Sequence, residues 1–493
     1  TSGSGKTTVT AGLVRALRRR GLTVQPFKAG PDYIDPSYHA RAAGRPCRNL
    51  DTWLVPADAL RELYQRANSG GTVALIEGVM GLFDGRGGGE EGSTAHLAKL
   101  LGRPVVVVID VGRTSRSAGA IALGCQRFDP ALDVVGFILN RVASDNHRRW
   151  ASEAVTTATG LPVLGWLPRR DDLGLPERHL GLIPTTEGRI DEAFFERLAD
   201  QVEQSFDLDR LLALARSQDM PSHNSKELRM ALRLPRQIKS AGRSSPDLLP
   251  EGAEFSIERA DGQGFPNATA ASLFPSQSRP VIVAIGLAVD EAFSFYYEDN
   301  LDLLRAWGAQ LVPFSPLHDA ALPEGIAALY IGGGFPELYA RDLAANHAMI
   351  TAIRSVARRG MPIYAECGGL MYLSEGITDF DGQCFPMVGL VPAWSAMVGR
   401  RLTLGYRELR ARVDTPLLHR GETARGHEFH WSVLKEPPPS NTAAYDAFTA
   451  PGSGEGYARG NLLASYCHLH FASNPVLAPN FVATALRWQR TGP

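Results

Sequence analysis

The stretch Ser2-Gly3-Ser4-Gly5-Lys6-Thr7-Thr8, running into the helical pattern Val9–Arg20, decides how the first half of the chain is read. Glycines let backbone N–H groups close on phosphate oxygens, a lysine bridges those oxygens, and the next hydroxyl can hold Mg²⁺ at the start of a helix. The chain beyond Arg20 has the rhythm that such a turn requires. Apolar runs of strand length at 23–27, 73–76, 104–109, 134–139 and 162–166 each lead into a glycine-rich or polar turn, and amphipathic stretches separate them. This alternation predicts a mostly parallel sheet with helices on both faces and ligands gathered beyond the carboxyl ends of the strands.

The opening segment is the end of a P-loop motif, GxxxxGK[ST], whose first glycine and preceding strand are expected before Thr1. Gly3, Gly5, Lys6, Thr7 and Thr8 are therefore the residues expected to bind nucleotide. Two acidic segments emerge where strands should end: Lys28-Ala-Gly30-Pro-Asp32-Tyr33-Ile34-Asp35 and Glu77-Gly-Val-Met-Gly-Leu-Phe-Asp84. Mg²⁺ prefers oxygen ligands together with phosphates and waters, so Asp32 and Glu77 beside Thr7 are the expected metal partners. Lys28 either supports the phosphates or is a solvated lysine. Asn140, closing the run 134–139, either hydrogen-bonds a purine edge or holds a turn. Asp110 after 104–109 is placed like a further metal-sensing acid, or is simply a turn aspartate.

In the second half, Pro362-Ile-Tyr-Ala-Glu-Cys367-Gly368-Gly369-Leu-Met-Tyr-Leu373 reads as a strand, a sharp turn and a helix with a cysteine at the turn. A helix N-terminus behind a thiol lowers its pKa toward the reactive thiolate, which makes Cys367 the candidate nucleophile. Upstream, the apolar run at 327–331 ends in Gly332-Gly333-Gly334. The N–H groups of Gly333 and Gly334 can face the oxyanion of a tetrahedral intermediate. Downstream, Ser465-Tyr-Cys-His468-Leu-His470-Phe471 carries histidines at alternate positions, which would share a face on a strand. His468 is the expected general base, with His470 as the alternative.

Composition agrees with a two-domain enzyme rich in loops. The chain has 493 residues, 44% hydrophobic and 21% charged, with a formal net charge of −1, which argues neither for disorder nor for nucleic acid as a partner. Its 50 glycines and 33 prolines exceed the average usage of roughly 7% and 5%. The five cysteines form no CxxC pair and are odd in number, as expected of a cytoplasmic protein without a disulfide framework. No apolar run approaches the roughly 20 residues of a membrane span, and no secretory signal is seen. The expected division is a synthetase domain at 1–204, a linker at 205–280 and a second α/β domain at 281–493, whose strands start at 281–285, 309–314, 327–331 and 362–365.

Taken together, these segments resemble the a,c-diamide synthase family that acts on cobyrinic or hydrogenobyrinic acid. Asn49-Leu-Asp51, Pro176–Leu182, Asp290–Tyr297 and Gly426-His427-Glu-Phe-His430 add to the match, which spans nearly the whole chain. The resemblance implies an N-terminal ATP-dependent domain related to dethiobiotin synthetase, joined to a C-terminal class I glutamine amidotransferase domain of the Triad type. It implies a ligase of cobalamin biosynthesis that amidates the a and c acetates of a corrin ring. ATP would convert a carboxylate to an acyl phosphate, and ammonia from glutamine hydrolysis at Cys367 would attack it. ATP is then a co-substrate and Mg²⁺ the metal; Tyr33, Ile34 and Asp84 fall in the substrate region. The partners implied are small molecules, namely a corrinoid acid, ATP and glutamine, and a homodimer is compatible with them. Many class I glutaminases carry glutamate two residues after the catalytic histidine, where this chain has His470; the related cobyric-type enzymes manage with a Cys/His pair. A nickel-sirohydrochlorin a,c-diamide synthase would use the same apparatus, whereas a P-loop partitioning ATPase would leave Cys367 and His468 unexplained.

Overall fold

The computed structural model describes residues 2–178, 181–182, 184–185, 188, 190–216, 273–275, 282–399, 402–447 and 454–492. Helix α1 (Lys6–Arg19) starts directly after Gly5, which adopts φ 83°. Its apolar stripe, including Val9, Leu13, Val14 and Leu17, is buried. Strands β1 (Val24–Ala29), β2 (Arg48–Leu50) and β3 (Val73–Glu77) form a parallel sheet in the order β2-β1-β3. A second parallel sheet holds β4 (Val105–Asp110), β5 (Val134–Val142) and β6 (Val163–Pro168), in that order. The expected parallel architecture is present, in two three-stranded parts. They share one core, in which Val9 and Leu13 of α1 meet Val24 of the first part and Ile138 of the second. Because parallel strands all end on the same side, Lys28, Glu77, Asp110 and Asn140 sit at neighbouring carboxyl ends.

The second domain is built on a six-stranded sheet. It contains β9 (Val283–Ala288), β11 (Ala309–Phe314), β12 (Ile326–Ile331), β14 (Ile363–Glu366) and the strands Leu462–Ser465 and Tyr457–Arg459. All its pairings are parallel except that of the edge strand Tyr457–Arg459. In the first domain β7 (Glu177–Arg178) and β8 (Gly181–Leu182) are a short hairpin, and in the second β10 (Phe293–Phe295) pairs antiparallel with β13 (Gly333–Gly334).

Two elements depart from expectation. The α/β pattern expected of the domain at 281–493 is interrupted after Leu373 by mainly antiparallel sheets, one of which pairs Thr403–Ala411 with Thr423–His430, and Thr423–His430 with His468–Leu469. Strand pairing stops at Leu469, because His470 caps the helical turn Phe471–Ser473 by accepting from the Ala472 N–H. His468 and His470 therefore do not continue one strand together.

Residues 217–272 and 276–280 of the expected linker, and residue 281 after it, lie outside the described residues. Its flanks are folded: Leu208–Arg216 is a helix with Leu208 buried, and Leu273 packs into the second domain's core and accepts a hydrogen bond from Trp307 at 3.2 Å. That core crosses the domain boundary, joining Phe27, Leu50 and Trp53 to Tyr297, Leu301 and Leu409. Polar clamps reinforce it: Arg48 pairs with Asp299 at 2.6 Å, Tyr406 donates to Asp51 at 2.6 Å, and Arg425 donates to the Trp53 carbonyl at 3.0 Å.

Candidate active sites

At the first site, Gly3 and Gly5 both take positive φ and line the cavity with Lys6 and Thr7. A Cβ on Gly5 would lie 2.0 Å from Nδ2 of Asn140. That nitrogen donates to the Ser4 carbonyl at 2.8 Å, so the structure places Asn140 beneath the loop as its prop. Lys6 reaches the Met80 carbonyl at 3.0 Å, and burial together with nearby Lys28 lowers its pKa. Thr7 Oγ1 donates to Glu77 Oε1 at 2.9 Å. Thr8 lines the same cavity, of about 940 Å³.

Lys28 is not a solvated lysine. Its side chain is 3% exposed, with Nζ 3.2 Å from Glu77, 3.8 Å from Asp32 and hydrogen-bonded to Asp35. Burial opposes its charge, yet the surrounding carboxylates win and raise its pKa. Burial raises Glu77 too, but Lys28 and His39 overcome this and hold it down to about 2. Burial and the neighbouring Asp35 push Asp32 up to about 7. His39, hydrogen-bonded to Glu77 Oε2, is a site residue that sequence reading missed. Its position four after Asp35 on the helix Ile34–Ala43 put it on the same face, and that was the available signal.

The donor set suits a hard cation. Thr7, Glu77 and Asp32 line the same cavity, with Thr7 Oγ1 on Glu77, and such oxygen ligands accompany phosphates and waters around Mg²⁺. Asp110 is instead paired with Arg141 and accepts the Gly112 N–H at 2.9 Å. Asp84 accepts the Gly81 N–H at 2.9 Å, bracing the turn beside Lys6.

At the second site, Cys367 joins β14 to the helix Gly368–Leu373 with φ 48° and ψ −102°, a conformation few non-glycine residues adopt. Such strain at a strand-to-helix turn presents a side chain at the helix N-terminus. The turn is crowded: a Cβ on Gly368 would come 3.0 Å from the Gly334 nitrogen, and one on Gly369 2.3 Å from the Ile331 carbonyl. The glycine run is thus pressed against the nucleophile. A Cβ on Gly333 would strike His468 Cε1 at 2.4 Å, and Gly334 has φ 155°.

His468 lies against the glycine run that packs on the Cys367 turn. Burial disfavours its cationic form, but the charges of Cys367 and Glu366 more than offset this and raise it to about 9. His470 is different. It is fully buried against the Tyr297 ring at 4.6 Å, and burial lowers it to about 3. His427 pairs across strands with His468 and stacks on it at 5.0 Å, with Nδ1 2.8 Å from the Tyr297 hydroxyl.

The two sites meet at Tyr33 and Ile34. The Tyr33 ring lies 5.2 Å from Phe295, 4.9 Å from Tyr297 and 5.0 Å from His468, and Ile34 packs with Phe295 and Phe335. One loop therefore carries Asp32 at the first site and an aromatic wedge against the second. Asn49 fixes it by donating to the carbonyls of Gly30 and Asp32 at 2.9 and 2.7 Å.

Comparison with known proteins finds two family matches along the chain. Residues 1–183 match the CobQ/CobB/MinD/ParA nucleotide binding domain, and residues 284–476 match the CobB/CobQ-like glutamine amidotransferase domain. A cobyrinate a,c-diamide synthase of Dehalococcoides mccartyi is 43% identical over 98% of this chain and 96% of its own length. One from Synechococcus sp. is 43% identical over 98% of both chains, and one from Salmonella typhimurium is 41% identical over 99% and 96%. Near-full-length identity at this level, with both sites assembled in one chain, makes this protein a member of the cobyrinate a,c-diamide synthase family of glutamine-dependent amidotransferases.

Proposed function

We propose that the protein uses ATP and glutamine to amidate the a and c acetate carboxylates of cobyrinic or hydrogenobyrinic acid in cobalamin biosynthesis. The observation that carries this is the strained Cys367 turn beside His468, joined through the Tyr33 loop to a phosphate-binding cavity in the same chain.

At the second site the Cys367 thiol gives its proton to His468, and sulfur attacks the side-chain amide carbon of glutamine. Gly333 and Gly334 N–H groups face the oxyanion. The C–N bond then breaks as His468 returns the proton to nitrogen, releasing ammonia, and water cleaves the thioester to glutamate. At the first site a substrate carboxylate oxygen attacks the γ-phosphorus of ATP and ADP leaves, giving an acyl phosphate. Ammonia attacks that carbonyl and inorganic phosphate leaves, forming the amide. Gly3, Gly5, Lys6 and Thr8 orient the phosphates, with Lys28 holding the acids in place. Thr7, Asp32 and Glu77 would hold Mg²⁺, which screens phosphate charge during transfer. Tyr33, Ile34 and Asp84 border the space where the carboxylate and ammonia must meet.

The test is a coupled assay with ATP, Mg²⁺, cobyrinic or hydrogenobyrinic acid and either glutamine or ammonia. Wild type is expected to form diamide with both nitrogen sources, and Cys367→Ala with ammonia alone. Glutamine hydrolysis without amidation of either corrinoid acid would overturn the substrate assignment.

A further inference from the structure

The position two residues after His468, where many glutaminases of this class carry a carboxylate, is filled here by the buried, uncharged His470. A carboxylate reaches His468 by another route. Glu366, the last residue of β14 and the neighbour of the nucleophile, has its side chain 1% exposed, with Oε2 3.8 Å from His468 Nδ1. Among the described residues no other carboxylate is within ion-pairing distance of His468, and its Nδ1 is buried without a hydrogen-bond partner. We propose that Glu366 is the positioning residue of the glutamine-cleaving site, holding the His468 imidazole by Nδ1 so that its other nitrogen serves Cys367.

The carboxylate is built for this. Oε1 accepts the Leu469 N–H at 3.0 Å and the Tyr364 hydroxyl, while Oε2 accepts the Tyr330 hydroxyl at 3.0 Å and retains a lone pair toward His468. The bond to Leu469 ties Glu366 to the strand that carries His468. Catalytic hydrogen bonds are often long before substrate binds, so 3.8 Å is a contact that glutamine can tighten.

The groups facing His468 are Cys367, Glu366, Tyr33 and His427, with Tyr330 and Tyr364 behind Glu366. Around the site, burial lowers His427, His430 (to about 4) and His470 (to about 3), His430 even with Glu428 4.0 Å from its Nε2. His468 alone among them is raised.

The proposal rests on Cys367 and His468 as the glutamine-cleaving pair, but its main readout needs no glutamine, so the two can fail separately. In the full chain, the rate of Cys367 alkylation by iodoacetamide is followed against pH, with Cys367→Ala giving the background from the other cysteines. Glu366→Gln should lose at least tenfold of the wild-type rate at pH 7, its profile displaced to higher pH. Its kcat for glutamine hydrolysis should fall about 100-fold with KM within twofold, and Glu366→Asp should recover part of both. A wild-type alkylation profile in Glu366→Gln, or loss of kcat with that profile unmoved, overturns the proposal. If Glu366→Gln does not fold, Tyr330→Phe with Tyr364→Phe keeps the carboxylate and removes its tyrosine donors. A retained wild-type profile there supports the proposal, and a profile displaced to higher pH overturns it in favour of the tyrosine network.

Discussion

The ring of Tyr33, on the loop that carries Asp32, lies 5.0 Å from the imidazole of His468, centroid to centroid. A side chain of the phosphate-binding domain is thereby part of the wall of the glutamine-cleaving site. Tyr33→Ala is expected to open that wall and let ammonia escape. The ratio of glutamate released to amide formed should rise severalfold, while Tyr33→Phe, which keeps the ring, should leave it near the wild-type value. Parallel measurement of glutamate and diamide checks this.

As the proposed proton carrier for Cys367, His468 would set the alkaline limit of glutamine cleavage. Its pKa is raised from 6.5 to about 9, so the stabilisation from its charge is fully present below about pH 6.5 and is lost as pH rises through about 9. Above that value no proton remains for the departing ammonia. The pH profile of kcat/KM for glutamine hydrolysis should therefore fall on the alkaline side near pH 9, whereas a fall near pH 6.5 would mean that the imidazole titrates as if free.

Two glycine substitutions should separate the half-reactions. A Cβ at Gly333 would lie 2.4 Å from His468 Cε1, so Gly333→Ala must displace the imidazole. Displacements of about 1 Å cost on the order of 100-fold in rate, so glutamine hydrolysis should drop by about that factor while ammonia-driven amidation persists. Gly5→Ala has the opposite signature. Its φ of 83° and the 2.0 Å approach to Asn140 Nδ2 forbid a side chain, so ATP-dependent amidation should be lost with either nitrogen source while glutamine hydrolysis survives.

Arg48 and Asp299 lock the domains together. Burial raises Asp299 to about 6 even though Arg48 opposes the shift, so Arg48→Met leaves a buried carboxylate without its cation. Loss of one partner of a buried pair costs about 3 kcal/mol. Urea unfolding should show such a loss at about pH 8 and a smaller one at about pH 5, where Asp299 takes up a proton, and Asp299→Asn in the same background should restore part of it.

Local chemistry made much of the molecule legible from the chain alone. Glycines before Lys6-Thr7, apolar runs ending in Lys28, Glu77 and Asn140, and the Glu-Cys-Gly-Gly turn each carry their meaning within a short span, because phosphate cradles, parallel strand ends and nucleophile turns are local backbone constructions. The parallel architecture of both halves and the crowding around Cys367 are consequences of that. The sheets between Ser374 and Ala447 were not legible, since their strands pair over long separations and mix apolar with charged residues.

Other features depend on residues far apart in sequence meeting in space, and only the tertiary structure decided them. Lys28 is a buried counter-ion because three carboxylates from two segments surround it. His468 and not His470 faces the thiol, because the strand ends at Leu469 and the next residue turns away to cap a helical turn. Glu366 reaches His468 because β14 is hydrogen-bonded beside Leu462–Ser465, the strand just before that histidine. Tyr33 touches both sites because the two domains share one core, and a contact set by core packing leaves no periodic trace in either segment.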